Sequence, residues 1–211
     1  MIQYRYIAIE GNIGSGKTSL AQIISEKYNG KLILERFEDN SFLPRFYEDP
    51  ERYAFPLEMS FLADRYQQLK EQLPQGDLFT QFTISDYIID KSFIFAGNNL
   101  NRDELTLYKR LFDIISAQLP RPDLIIYLYK SVELLQKNIK KRGRPYEQNI
   151  QDQYLANIQE RYLSYFNTNR LPRIVIVDTE NLDFVNRAED LAKLLPLFEQ
   201  QFPPGIHRII F

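Results

Sequence analysis

Short, almost continuous apolar runs alternate along the chain with longer stretches whose apolar residues recur at helical spacing. The runs are Tyr4–Ile9, Thr83–Ile89, Leu124–Tyr129 and Ile174–Val177, with a weaker one at Lys31–Leu34. Val, Ile, Leu and Tyr in blocks of this length read as strands buried on both faces. The helical stretches are Lys17–Tyr28, Leu57–Leu73, Asp103–Leu119, Val132–Arg142, Asp152–Tyr165 and Phe184–Glu199. Strand alternating with helix predicts an α/β fold, a five-stranded parallel sheet covered on both faces through right-handed crossovers. Local punctuation agrees: Asn101 followed by Glu104 forms a capping-box pattern, and Pro56 suits a first helical turn. No repeat, low-complexity tract or linker divides residues 1–211, which are expected to form a single domain.

Composition narrows the chemistry. The chain has 211 residues, no Cys and a single His, His207, so a His/Cys zinc site, a thiol nucleophile and a Ser-His-Asp triad are set aside. Lys+Arg 26 against Asp+Glu 28 gives a net charge of −2, which does not describe a surface for a nucleic-acid polymer. Arg5 interrupts the first apolar run, no cleavage-site pattern follows it, and no apolar run reaches membrane-spanning length. The expectation is a cytoplasmic protein without a membrane partner. Its chemistry must rest on carboxylates, Lys, Arg, hydroxyls or an oxygen-bound metal.

One motif dominates. Gly11, Asn12, Ile13, Gly14, Ser15, Gly16, Lys17 and Thr18, followed by Ser19, match G-x-x-x-x-G-K-[ST] between a strand and a helix. Glycines let the backbone curl until several N–H groups face one anion, and the helix N-terminus adds its partial positive charge. Lys17 would meet the β- and γ-phosphates, and the Thr18 hydroxyl would ligate Mg²⁺. A Gly-rich turn without function would not concentrate three of eight glycines in six residues before Lys-Thr. The signature D-x-x-G and N-K-x-D strings of a regulatory GTPase do not occur. What remains is a P-loop kinase acting on a small molecule with ATP and Mg²⁺.

Such an enzyme needs a carboxylate near the acceptor hydroxyl, and parallel sheets hold ligands past the C-terminal ends of their strands. Glu35 follows the run ending at Leu34, and Asp90 follows the run ending at Ile89. Asp90 is followed by Lys91, so a metal-side acid would neighbour a cation that steadies the transferring phosphoryl.

Taken in order, Gly11–Ser19, Glu35, Tyr47–Arg52, Phe55–Arg65, Asp90–Ser92 and Arg142-Gly-Arg144-x-x-Glu147 resemble the deoxynucleoside kinase family from about residue 4 to about residue 185. The resemblance implies a P-loop kinase fold with an Arg-rich lid at about 137–150, and a homodimer packed through helices. It implies that Glu35 receives the proton of the nucleoside 5′-hydroxyl and that Tyr47 and Glu147 bind the 3′-hydroxyl. By the same resemblance Asp90 matches the acid of an acid-Arg-Ser motif, with Lys91 in place of the Arg. Arg142 and Arg144 match lid arginines on the donor phosphates. Asn138 stands where some relatives carry another arginine, so the clamp is either weaker here or completed by Lys141. Glu58 occupies the place of a base-reading Gln, Arg65 matches a family arginine, and Ala96 stands where many relatives carry Asp.

The expected reaction moves the γ-phosphoryl of ATP to a deoxynucleoside 5′-hydroxyl in nucleotide salvage. An ionised Glu58 accepts two adjacent donors, which suits guanine, and Arg65 would face the O6 and N7 acceptors. Purines are therefore favoured, deoxyguanosine ahead of deoxyadenosine. Two alternatives stand beside this reading. A nucleoside monophosphate kinase of the thymidylate kinase type would need a cationic acceptor site, which Glu35 opposes. A non-catalytic nucleotide-binding module would need neither Glu35 nor Asp90. Phe55, Phe61, Phe93 and Phe95 could flank a base but also fit a plain core, and the tail 203–211 matches no motif.

Overall fold

A computed structural model of the chain describes residues 2–36, 40–73, 79–169 and 172–211. Among them, six strands form one parallel sheet: β1 (Tyr6–Gly11), β2 (Lys31–Ile33), β3 (Thr83–Ser85), β4 (Leu124–Tyr129), β5 (Arg173–Asp178) and β6 (Gly205–Ile209). Their order is β2-β3-β1-β4-β5-β6. The helices are α1 (Lys17–Tyr28), α2 (Phe42–Glu48), α3 (Pro50–Gln72), α4 (Asp90–Asn99) and α5 (Arg102–Ser116), then α6 (Val132–Arg142), α7 (Asp152–Thr168), α8 (Ala188–Leu194) and α9 (Pro196–Glu199).

The continuous apolar runs are explained by two covered faces. Alternate strand residues Ile7, Ile9, Leu124, Ile126, Leu128, Val175 and Val177 pack with Leu20 and Ile24 of α1, Leu194 of α8 and Phe198 of α9. Their neighbours Ala8, Ile125, Tyr127, Ile174 and Ile176 pack with Ile94 of α4 and with Ile158, Tyr162 and Phe166 of α7. A further cluster joins α2, α3, α4 and α5 through Phe46, Leu57, Leu62, Ala96, Tyr108 and Phe112, and this helical layer walls the site. The capping box at Asn101 and Glu104 forms as expected, with both reciprocal bonds made.

Four expectations are corrected. The sheet has six strands rather than five, because the uninterpreted tail pairs in parallel with β5 from Arg173↔Gly205 to Val177↔Ile209. The tail is anchored where Phe202 N–H donates to the Tyr4 hydroxyl at 2.8 Å, and Phe202 itself is buried. The strand expected over Thr83–Ile89 stops at Ser85, because the Ile88 N–H turns away from the sheet to the Glu10 carboxylate at 2.8 Å. The helix expected over Leu57–Leu73 begins at Pro50, capped by Asp49, and carries Pro56 in its interior rather than in its first turn. The stretch Phe184–Glu199 is two short helices, α8 and α9. Among the described residues, no helix is long and apolar enough to cross a membrane.

Candidate active site

The site lies past the C-terminal ends of β1, β2 and β3. Gly14 and Gly16 sit at φ +83° and +95°, which side chains other than glycine rarely adopt. A Cβ at Gly14 would come within 2.8 Å of the Leu135 carbonyl oxygen in α6, so the loop also needs glycine for room. Asn12 braces the turn from inside: its Oδ1 accepts from Ile13 N–H at 2.8 Å, and its Nδ2 donates to the Leu155 carbonyl of α7 at 2.7 Å. Gly16 caps α1 without a side-chain acceptor, leaving the first-turn N–H groups for an anion. Lys17 Nζ donates to the Asn12 carbonyl at 2.9 Å. Burial lowers the Lys17 pKa to about 8, helped by the charge of Lys91 and resisted by Glu10, Asp86 and Glu35.

Beside the loop runs a cleft of about 1400 Å³, lined by Gly14 to Ser19, by the lid side chains Lys137, Asn138, Lys141, Arg142 and Arg144, and by residues 180–187. That last segment is held by Lys130 just after β4, whose Nζ donates to the Thr179 carbonyl immediately before it at 2.5 Å and to the Leu182 carbonyl within it at 3.4 Å. Burial pulls the Lys130 pKa down. Asn138 donates to the Gly14 carbonyl at 2.8 Å, so it ties α6 to the P-loop instead of reaching toward phosphates. The lid turns at Gly143, φ +76°, and brings Arg142 and Arg144 onto the Glu147 carboxylate, the latter at 3.3 Å.

A second, tighter cavity opens from the same point. Lys17, Thr18, Asp86, Glu35 and Lys91 stand at its P-loop end, and Tyr47, Glu58, Phe61, Phe95, Asn99, Glu147 and Tyr154 line its interior. Glu35 joins the two. Its Oε1 accepts from Arg65 Nε and Nη2, both at 2.7 Å, and its Oε2 accepts from Lys91 Nζ. Burial alone would raise the Glu35 pKa, but the charges and hydrogen bonds of Lys91 and Arg65 outweigh it and hold the carboxyl down at about 2.

Most sequence-proposed residues converge here: Lys17, Thr18, Glu35, Tyr47, Glu58, Arg65, Lys91, Arg142, Arg144 and Glu147 all line this cavity. Tyr47 stacks on Tyr146 with ring centroids 6.1 Å apart, and burial pushes its hydroxyl pKa well up. Arg65 departs from the expected use, since its guanidinium is taken by Glu35, by Ser92 Oγ at 2.7 Å and by the Phe61 ring at 4.7 Å.

Asp90 is the residue that does not come. It opens α4, is buried, and accepts from the Tyr165 hydroxyl and from Arg121 Nη1 at 3.4 Å, on the side facing α7. The acid at the end of β3 is Asp86. Its Oδ2 accepts from the Thr18 hydroxyl at 2.5 Å and its Oδ1 from Glu35 N–H at 2.8 Å. The early end of β3 causes the exchange, by turning Tyr87–Ile89 into a bend and carrying Asp90 one step past the site. The signal was there: an acid inside an otherwise apolar run marks a strand's end. Ala96 is buried in the core of α4 and is absent from the cavity wall. Of the four phenylalanines, Phe61 and Phe95 face the cavity, while Phe93 stacks on Phe112 at 5.4 Å. Asn99 and Tyr154 also line the cavity without a sequence signal, since a polar residue at a helix end and a Tyr in an amphipathic helix look ordinary.

Among the described residues no group of three or more His, Cys, Asp or Glu forms a metal cage. The Thr18 hydroxyl beside the Asp86 carboxylate does fit Mg²⁺, which takes one or two protein oxygens and draws the rest from phosphates and water.

The family model described as deoxynucleoside kinase matches residues 7–202. A deoxyguanosine kinase of Bacillus subtilis (strain 168) is 36% identical over 193 residues, which are 90% of this chain and 93% of that protein. A deoxyadenosine kinase of Lactobacillus acidophilus is 30% identical over 210 residues, 92% of this chain and 95% of the other. A deoxyadenosine kinase structure from M. mycoides with bound dATP superposes with a TM-score of 0.78, covering 92% of this chain and 100% of that one; at 24% identity this likeness shows the fold.

Proposed function

The chain belongs to the deoxynucleoside kinase family, and on that premise we propose how its residues divide the phosphoryl transfer from ATP to a deoxynucleoside 5′-hydroxyl. One observation carries the reading. The Glu35 carboxylate, held by Lys91 and Arg65, stands where the P-loop end of the cleft meets a cavity walled by aromatic rings. A neutral hydroxyl can donate to the free lone pair of Glu35 Oε2 while its oxygen faces the phosphate cradle. With a pKa of about 2, Glu35 is a weak proton acceptor, so its work is orientation rather than early deprotonation. That suits a loose transition state, in which the nucleophile needs direction more than charge.

The first-turn N–H groups of α1, Lys17 and the lid residues Arg142 and Arg144 take the donor phosphates. Thr18 and Asp86 would hold Mg²⁺, which supplies charge neutralisation on the phosphates; Asp86 takes the role the sequence had suggested for Asp90. Lys91, ion-paired with Glu35 and with its ammonium 5.5 Å from the Phe95 ring, steadies the transferring phosphoryl. Tyr47 and Glu147 bind the 3′-hydroxyl, so that the substrate's sugar and the lid arginines share Glu147. Purines are the substrates, since a buried Glu58 supplies acceptors to a base edge.

The same acids oppose a monophosphate acceptor: Glu35, Glu58 and Glu147 surround the cavity, and a phosphate there would meet repulsion. The test is a coupled ADP-release assay with ATP, Mg²⁺ and a panel of deoxynucleosides and monophosphates. Turnover with deoxyguanosine or deoxyadenosine and none with thymidylate is expected. Turnover of monophosphates alone would overturn this reading, and ATP binding without turnover of any acceptor would identify a binding module.

A further inference from the structure

Glu58 is buried, and its two oxygens are treated differently. Oε1 accepts from Asn99 Nδ2 at 2.6 Å, whereas Oε2 is buried without a hydrogen-bond partner. Asn99 is itself held, its Oδ1 accepting from Asn98 Nδ2 at 3.1 Å. Both residues line the cavity, from α3 and from the last turn of α4. A buried acceptor left open on a cavity wall calls for a donor from the ligand.

We infer that Asn99 is a specificity-determining positioning residue: by donating to Glu58 it biases that side chain toward its ionised, acceptor-only form, and the cavity is thereby tilted toward a purine edge with two adjacent donors over one that sets a donor beside an acceptor. An ionised carboxylate meets the N1–H and N2 amino group of guanine. A neutral carboxyl donates through O–H and accepts through its other oxygen, which matches N1 and the N6 amino group of adenine. The protonation of one side chain thus chooses between two purines, and a donor to the ionised form biases that choice.

The surroundings leave the choice open to such a bias. The titratable groups facing Glu58 are Arg65 on its own helix, Glu35 beyond β2, Tyr47 of α2, Lys91 of α4, Tyr108 of α5 and Tyr154 of α7. Burial raises the Glu58 pKa to about 7, against the pull of Arg65, Asn99 and Lys91 and with a push from Glu35. Both forms are populated near neutral pH, so removing the Asn99 donor changes the mixture.

The inference rests on the purine kinase reading of this cavity, and the experiment separates the two. The kcat/KM ratio of deoxyguanosine to deoxyadenosine is measured with ATP from pH 6 to 9 for the wild type, Asn99→Ala, Asn99→Asp, Glu58→Gln and the double variant Glu58→Gln/Asn99→Ala. In the wild type the ratio rises with pH through about 7, as Glu58 ionises. Asn99→Ala moves that rise up by about one pH unit and, because the ratio follows ionised over neutral Glu58, lowers it at pH 7 about tenfold. Asn99→Asp preserves the side chain's shape, sets a second carboxyl against Glu58 and shifts the rise further. With Glu58→Gln the ratio is flat, and adding Asn99→Ala leaves it flat, which a merely structural role for Asn99 would not produce. A wild-type midpoint in both Asn99 variants, or an equal effect of Asn99→Ala in the Glu58→Gln background, overturns the inference while the purine kinase stands. Phosphorylation of pyrimidine deoxynucleosides alone overturns the purine reading and the inference with it.

Discussion

The two halves of the site are built in opposite ways. The donor half is made largely from consecutive backbone: Gly11 to Ser19 supplies the turn, the N–H groups, Lys17 and Thr18 from nine adjacent residues. The acceptor half is made from side chains that arrive separately, Glu35 from beyond β2, Tyr47 from α2, Glu58 and Arg65 from α3, Lys91 and Asn99 from α4, Glu147 from the lid and Tyr154 from α7. Binding a triphosphate asks for one concave shape, which local sequence can dictate. Binding a nucleoside asks for several polar groups at fixed separations across an apolar cavity, and only tertiary packing sets those. Each half therefore breaks differently: the first by losing charge, the second by losing partners.

Glu35 spans the halves, and its loss has the largest expected effect. Glu35→Gln keeps the shape but gives up the charge that holds Lys91 and Arg65 and, on the proposed reading, the acceptor that orients the hydroxyl. We expect kcat to fall about 10²–10⁴-fold, with much less change in nucleoside affinity. Because Glu35 is ionised throughout the working range, the mutation should lower the pH–kcat profile without moving its shape. Retention of more than a tenth of the activity would detach Glu35 from the reaction.

The two acids near the end of β3 give the next contrast. Asp86→Asn removes the charge beside Thr18 and should cost about 10²-fold in kcat. Asp90→Ala should leave kcat within about threefold. It would orphan the Tyr165 hydroxyl, at about 1–3 kcal/mol of stability, and lower Tm by several degrees. Steady-state kinetics and thermal melts on both variants decide it; the reverse pattern would restore Asp90 to the site.

That contrast also marks how far the sequence could be read. The P-loop and its helix α1 were legible to the residue, because glycine conformation and cap position are local properties. Glu35 was legible as an acid past a strand. Asp86 was not, because Tyr87-Ile-Ile has strand propensity, and only the pull of the buried Glu10 carboxylate on Ile88 N–H bends it out of the sheet. The edge strand β6 was hidden for a related reason. Covered on one side alone, it lacks the continuous apolar run of β4, and Pro203-Pro204 before it reads as a loop. The capture of Arg65 by Glu35, thirty positions away, is a contact no spacing rule contains.

A smaller effect tests the sugar end of the acceptor half. If Tyr47 and Glu147 bind the 3′-hydroxyl, a 2′,3′-dideoxynucleoside leaves buried polar groups without their partner. We expect a loss of about tenfold or more in kcat/KM relative to the deoxynucleoside. Tyr47→Phe should shrink that discrimination, since one of the two partners is already gone. Equal use of both substrates by the wild type would mean that the pair serves the lid alone.

The smallest effect separates the halves by their protons. Lys17 is held down at about 8 by burial and by Lys91, whereas a bound triphosphate brings several negative charges within reach and pulls the ammonium back to full protonation. Donor binding must then take up a proton wherever the free protein has lost it. The sign follows: below pH 8 Lys17 is already charged and binding is insensitive to pH, while above it each further deprotonation weakens binding. Apparent donor Kd should rise about fourfold between pH 7 and 8.5. With Mg²⁺ saturating, the last phosphate proton is lost below this interval, so the triphosphate adds little slope of its own. Lys17→Arg carries a charge that does not titrate in this range and should flatten the rise, even where the guanidinium fits the cradle poorly and binding is weaker overall. The measurement is donor affinity by calorimetry at both pH values, in two buffers of different ionisation enthalpy to count the protons taken up. A pH-independent Kd in the wild type would mean that Lys17 keeps its proton in the empty site, and that the acids around it outweigh its burial.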